Sequence, residues 1–161
     1  MGDENLTQWS SGLETVLKNE AETSESLFWL HHRSSSVAAR NNDMINIPSI
    51  ILQSLTGFLS ATSGLVPPLA LGAISILTGI MSTILAYYKF SAKAEGHRVC
   101  AQLYLKIYKQ LEVELALPIT QRSEPLKLLE DVRDKLSRVS EVSPDIPDSP
   151  DAQSPSQAVP R

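Results

Sequence analysis

The 45 residues from Met44 to Tyr88, MINIPSIILQSLTGFLSATSGLVPPLALGAISILTGIMSTILAYY, contain no Asp, Glu, Lys, Arg or His. The 161-residue chain carries 14 Lys and Arg against 18 Asp and Glu, all of them outside this stretch. Its averages, 42% hydrophobic and 20% charged, would suit an ordinary soluble domain and hide the segregation. A helix needs about 20 apolar residues to cross a hydrocarbon core of about 30 Å, so the stretch holds two crossings and a turn. The turn is Thr62-Ser63-Gly64-Leu65-Val66-Pro67-Pro68, where Gly and a Pro pair end one helix and start another. Residues 44–61 then read as the first span and 69–88 as the second, the latter closed by the interfacial pair Tyr87-Tyr88. Pro48 marks a kink or a fresh helix start in the first.

Working outward, Arg33 and Arg40 precede the first span and Lys89, Lys93 and Arg98 follow the second, while the connecting turn has no charge. The positive-inside rule therefore predicts both termini on the cytoplasmic side, with the Asn5-Leu6-Thr7 sequon unglycosylated. No basic region followed by an apolar run precedes residue 26, so insertion is expected to rely on the internal segment. Leu6 stands where a myristoylation signal needs Ser or Thr. Few aromatics and a net charge of −4 argue against nucleic acid as a partner, and the single cysteine, Cys100, excludes an intrachain disulfide.

Polar and small residues inside the spans follow helical spacing. Asn46, Ser49, Gln53, Thr56, Ser60 and Ser63 form one stripe, and Gly72, Ser75, Gly79, Ser82 and Ala86 another. Two readings follow: the stripes pack on each other, as small and hydrogen-bonding residues do in membranes, or they line a wet pore in an oligomer. No charge within the spans marks an ion relay.

In an antiparallel hairpin, residues whose numbers sum to about 131 lie level, with slack of about four for the turn and kink. Asp43 then faces Lys89, suggesting an ion pair at the membrane boundary. Val99, Leu103, Ile107 and Leu111 extend an amphipathic helix from the second span to Pro118, matched by Leu13, Val16, Leu17, Leu27 and Leu30 before the first. The fold expected is an all-α membrane protein: an antiparallel two-span hairpin, helices 13–61 and 69–117, extended by a cytosolic stalk to about 75 Å. Ser34-Ser35-Ser36 is a weak point in the first helix. A flexible acidic segment, 1–12, precedes it. A short amphipathic helix, 124–139, follows with Ser123 as cap and Pro125 in its first turn; its face of Leu128, Leu129, Val132, Leu136 and Val139 suits either the stalk or a lipid surface. Residues 140–161, rich in Pro, Ser and Asp, are expected to be disordered. Ser143, Ser149 and Ser154 each precede Pro and are either sites for proline-directed kinases or simply tail composition.

The chemistry-bearing residues are few. The mirror rule brings His31 and His32 near Arg98, Val99 and Cys100, so His31, His97 and Cys100 form either a sparse metal set or, as is the commoner case, a packed histidine pair near Glu95. No phosphate loop, paired carboxylates or catalytic triad order stands out. The chain is expected to be noncatalytic, with no cofactor, no metal and no small-molecule substrate.

Phe28-Trp29-Leu30-His31, Asn42, Ile47-Pro48-Ser49-Ile50-Ile51 and Ser54-Leu55-Thr56-Gly57 resemble a family of small two-span membrane proteins of nucleocytoplasmic large DNA viruses. Ala94-Glu95-Gly96-His97-Arg98, Tyr104, Tyr108, Val113-Glu114-Leu115-Ala116-Leu117-Pro118 and Arg122 agree, so the resemblance spans about residues 27–125. The plan is also similar to SLATT two-span domains, which bacterial conflict systems pair with nucleotide-sensing modules and which are proposed to form pores. The resemblance implies a virion membrane protein beneath the capsid, self-associating and tethering capsid or other virion proteins to the bilayer. Trp29, His31, His97, Arg98, Tyr104 and Tyr108 are then stalk contacts. The competing functions are an oligomeric pore and an adaptor with a phosphorylatable tail.

Overall fold

The computed structural model describes residues 9–62 and 66–146. Among them the chain is all α: α1 Ser11–Ala61, α2 Pro68–Tyr88, α3 Phe90–Ala116, a 3₁₀ turn Ile119–Gln121, and α4 Pro125–Val142. Two compact units form, one from the residues up to Ser35 together with those from Glu95 onward, the other from Ser36–Ala94.

The first unit is a water-type helical bundle. The start of α1, α3 and α4 close around Leu17, Ala21, Cys100, Tyr104, Ile107, Leu111, Leu128, Val132 and Val139. The 3.6-residue period explains which residues enter: Leu128, Val132 and Val139 form one stripe of α4 and lie buried, with Leu129 and Leu136 packed at its margin. The amphipathic face of α4 is therefore covered by protein, which decides between the two sequence readings. Ser34 is 1% exposed and α1 runs through Ser34-Ser35-Ser36 without a break. Tertiary packing overrides the low helix propensity of serine there.

Several boundaries differ from expectation. Order begins before residue 13: Ser10 caps α1, its Oγ accepting from the Leu13 N–H at 3.2 Å, and the Trp9 indole donates to the Ser123 carbonyl at 3.1 Å. The acidic stretch and sequon before Trp9 lie outside the described residues. Ser123 does not cap α4. Its N–H and hydroxyl both donate to the Glu114 carboxylate, at 3.1 and 2.7 Å, and Glu124 takes the cap position without a side-chain bond. Residues 140–142 are helical, so α4 outlasts the expected end of order at Val139. The tail from residue 147 lies outside the described residues.

Arg122 ties the α3–α4 connection. Its guanidinium donates to the carbonyls of Leu117 at 2.7 Å and Leu115 at 2.8 Å, orphan acceptors at the end of α3, and lies over the Trp9 ring at 4.8 Å. Arg122→Lys keeps the charge but loses the planar fork. Unfolding of this unit, followed by tryptophan fluorescence in urea, is expected to show a loss of about 1–2 kcal/mol; an unchanged midpoint would count against the clamp.

In the second unit, Pro48 sits inside α1, which stays helical to Ala61. Pro67 is the residue capping α2, and Pro68 opens its first turn, where the missing N–H costs no bond. The expected continuous helix 69–117 is interrupted at one residue. Lys89 is left-handed, φ 49° and ψ 43°, and its N–H closes α2 on the Leu85 carbonyl at 3.0 Å. A left-handed non-glycine residue costs about 1–2 kcal/mol. Stacked rings of Tyr88 and Phe90, 5.2 Å apart across the break, offset part of that cost.

Candidate functional site

Burial in the Ser36–Ala94 unit is inverted relative to a water-soluble bundle. Among its described residues the buried side chains are the polar Ser49 and Thr78. Met44, Ile47, Ile50, Ile51, Leu55, Phe58, Leu69, Ile76, Leu77 and Ile80 are exposed, with Leu69 at 86% and Ile76 at 67%. Only 6% of the most apolar 18-residue stretch of α1, and of that of α2 with α3, is buried. A core helix of a soluble protein would bury this surface; here it forms a continuous apolar belt far beyond the scattered exposed leucines of ordinary surfaces.

Hydroxyl groups within the belt are satisfied along their own helices. Thr56 donates to the Leu52 carbonyl at 2.7 Å, Ser60 to Thr56 at 2.8 Å, Ser75 to Leu71 at 2.9 Å and Thr78 to Ser75 at 2.9 Å. Backbone bonding of this kind removes the cost of an unpaired polar group in an apolar medium. The Gln53 amide donates to Ser49 Oγ one turn back on α1 at 3.0 Å and, more weakly, across to Ser82 Oγ on α2 at 3.4 Å. Gln53 and Ser82 agree with the mirror rule within its slack.

The two stripes do not meet as a simple zipper. Ser49 is buried and Asn46 and Thr56 are half-buried, but Gln53 and Ser60 are exposed. On α2 the less exposed side is Leu71, Ile74, Thr78, Met81 and Leu85, one residue away from the expected stripe. Gly72, Ser75, Gly79 and Ser82 are exposed, and a Cβ added at Gly72 or Gly79 would meet nothing within 4 Å. Thr78 is the residue that sequence reasoning missed. Its position one step off the glycine stripe gave no signal, because Leu, Ile and Met flank both alternatives. Ser63 lies outside the described residues. The expected Asp43–Lys89 ion pair is absent among the described pairs: Asp43 accepts from the Asn42 amide at 3.3 Å, and the left-handed turn at Lys89 changes the direction of the chain where the pair would form.

The bundle unit contains the second constellation. His31 Nδ1 and His97 Nδ1 are 2.9 Å apart, and Ser143 Oγ lies 3.0 Å from His31 Nε2. One ring must donate and the other accept across the Nδ1 contact. His31 also stacks on Tyr104, centroids 5.6 Å apart. His31 and His97 are 1% and 4% exposed. Burial, followed by the neighbouring His97, holds His31 down at about 4, so it is neutral at physiological pH. Burial pushes the Tyr104 phenol up, with Cys100 adding to it. The pairing keeps the expected register, and Glu95 pairs with Arg98 at 2.6 Å.

Of the other expected stalk contacts, Tyr108 is half-buried against the core. Trp29 and Arg98 are exposed and pair locally, Trp29 with Phe28 and His32, because both fall on the outer side of their helices. Among the described residues no group of three His, Cys, Asp or Glu is arranged to hold a metal ion. Ser143 is the one Ser-Pro serine within the described residues, and Pro144 packs so closely on Gly96 that a Cβ there would lie 3.0 Å from Pro144 Cγ. No family model, curated protein or solved structure matches this chain.

Proposed function

We propose that the chain is a noncatalytic two-span membrane anchor whose helical bundle is held at the bilayer surface as a scaffold for other proteins. The observation that carries this reading is the inverted burial of Ser36–Ala94, with Ser49 and Thr78 inside and Leu, Ile and Phe outside. Such a surface is favourable only against hydrocarbon or an equally large apolar partner. Absence of charge between Asp43 and Lys89 agrees with it, and the flanking bases support a topology with both termini on the cytoplasmic side. The resemblance to two-span proteins of large DNA viruses extends the proposal to a virion inner membrane, with capsid or other virion proteins as partners and self-association of the chain.

Full-length protein in sealed vesicles tests the anchor. It is expected to remain with lipid through alkaline carbonate, and protease added on one side is expected to cut both before Ser36 and after Ala94 while sparing 44–88. Release by carbonate, or cleavage from opposite sides, would overturn the reading.

A pore is the second reading, favoured by one observation: Gln53 and Ser82 are hydrogen-bonded to each other yet exposed, so polar groups of both helices share an outward side. It predicts ion flux through liposomes that Gln53→Leu abolishes with the oligomer intact. A well-formed oligomer without flux leaves the anchor as the function.

A further inference from the structure

A groove of about 440 Å³ lies between α3 and α4 in the bundle unit. Its floor is aliphatic, made by Leu103, Ile107 and Val139. Its rim is cationic: Lys106, Lys135 and Arg138, with Gln110 beside them. Asp131 is tied to this rim, bonding Lys135 at 2.6 Å and accepting from Gln110 at 3.1 Å. Lys135 also donates to Gln110 Oε1 at 2.8 Å, so one side of the rim is held in place by its own hydrogen bonds. Among the lining residues themselves the three ionisable groups are all cations, in a chain whose net charge is −4.

We propose that this groove binds a single-chain lipid with an anionic headgroup, its acyl chain on Leu103, Ile107 and Val139 and its head between Lys106 and Arg138. The volume falls within the range of small-molecule sites, about 300–1,000 Å³. A charged rim over an apolar floor matches an amphiphile on both counts. Neither a free anion, which has no use for the floor, nor a neutral alcohol, which has none for the rim, does so. Lys and Arg are also suited to both parts, since their stems cover apolar surface while their heads reach the charge. The proposal stands on the bundle alone and does not depend on the membrane reading.

The test uses the full chain in nanodiscs of zwitterionic phosphatidylcholine, with methyl NMR at Leu103, Ile107 and Val139. The probes are dodecyl phosphate, dodecanol, inorganic phosphate and an acidic amphipathic peptide. Dodecyl phosphate is expected to shift these methyls saturably, with dodecanol and inorganic phosphate each at least about tenfold weaker. The double variant K106E/R138E is expected to weaken dodecyl phosphate by about tenfold or more. Leu103→Trp, which fills the floor and leaves every charge in place, is expected to do the same while methyls elsewhere in the bundle keep their positions. Equal binding of dodecanol, equal binding of inorganic phosphate, or shifts confined to Met44–Tyr88 would overturn the proposal. Tighter binding of the peptide than of dodecyl phosphate would overturn it in favour of a protein partner.

Discussion

Replacing Ile76 with arginine is expected to reduce membrane insertion of the second span by about 3–4 kcal/mol, a change of more than a hundredfold in the inserted fraction at equilibrium. Ile76 is 67% exposed and lies near the middle of α2. In water, arginine at an exposed helical position is harmless and would improve solubility, because no packing is lost and helix propensity is good. In lipid the same position faces hydrocarbon, and the guanidinium must be dragged toward a headgroup or hydrated by a local defect. The substitution therefore gives opposite signs for the two environments. Glycosylation-reporter insertion of 69–88, or carbonate extraction of full-length Ile76→Arg, reads the result. Unaltered extraction together with higher soluble yield would sink the membrane assignment. Thr78→Arg is the companion, since Thr78 is buried and its loss is expected to harm the hairpin in either environment.

What the sequence disclosed and what it hid divide along physical lines. Charge segregation is a long-range property of composition, so the two apolar helices were legible from Met44–Tyr88. Amphipathic spacing likewise disclosed the α4 face and placed Leu111 and Ile107 in a core. The mirror rule brought His31 to His97, because helical rise is uniform enough to carry register over that separation. Inside the belt the same method lost its contrast. When every face is apolar or small, period alone cannot choose between Gly72/Ser75/Gly79 and Leu71/Ile74/Thr78, and the packed side proved to be the latter. Lys89 was illegible for a different reason: lysine has no preference for the left-handed region, and only the flanking Tyr88–Phe90 stack makes the break intelligible afterwards. Ser143 was read as tail, since its role depends on a contact with His31 far away in sequence.

Acidification is expected to destabilise the bundle unit by about 3 kcal/mol between pH 6.5 and pH 4, through His31. In the unfolded chain His31 takes a proton near its ordinary 6.5, whereas in the fold it does so only near 4. The unfolded state therefore binds more protons throughout that window, and stability falls as pH falls. Above 6.5 both states are neutral there and the contribution is constant; below about 4 both are charged and the loss is complete. Burial disfavours a new proton on His31, His97 from α3 repels it, and the stacked Tyr104 phenol and the Ser143 hydroxyl after α4 bring no charge to offset it. Carboxylates held low by cationic partners, Asp131 by Lys135 and Glu95 by Arg98, lose their contribution only at lower pH, so the histidine step stands apart from acid unfolding. Urea unfolding of the nanodisc-embedded chain, read by amide hydrogen exchange at Cys100 and Tyr104, should show this slope. His31→Phe/His97→Leu removes both imidazoles and leaves no orphaned ring, and it is expected to flatten the profile from pH 6.5 to 4.5. An equally steep slope in that variant would assign the acid sensitivity elsewhere, whereas a flat wild-type profile would mean that the buried pair accepts its proton without loss.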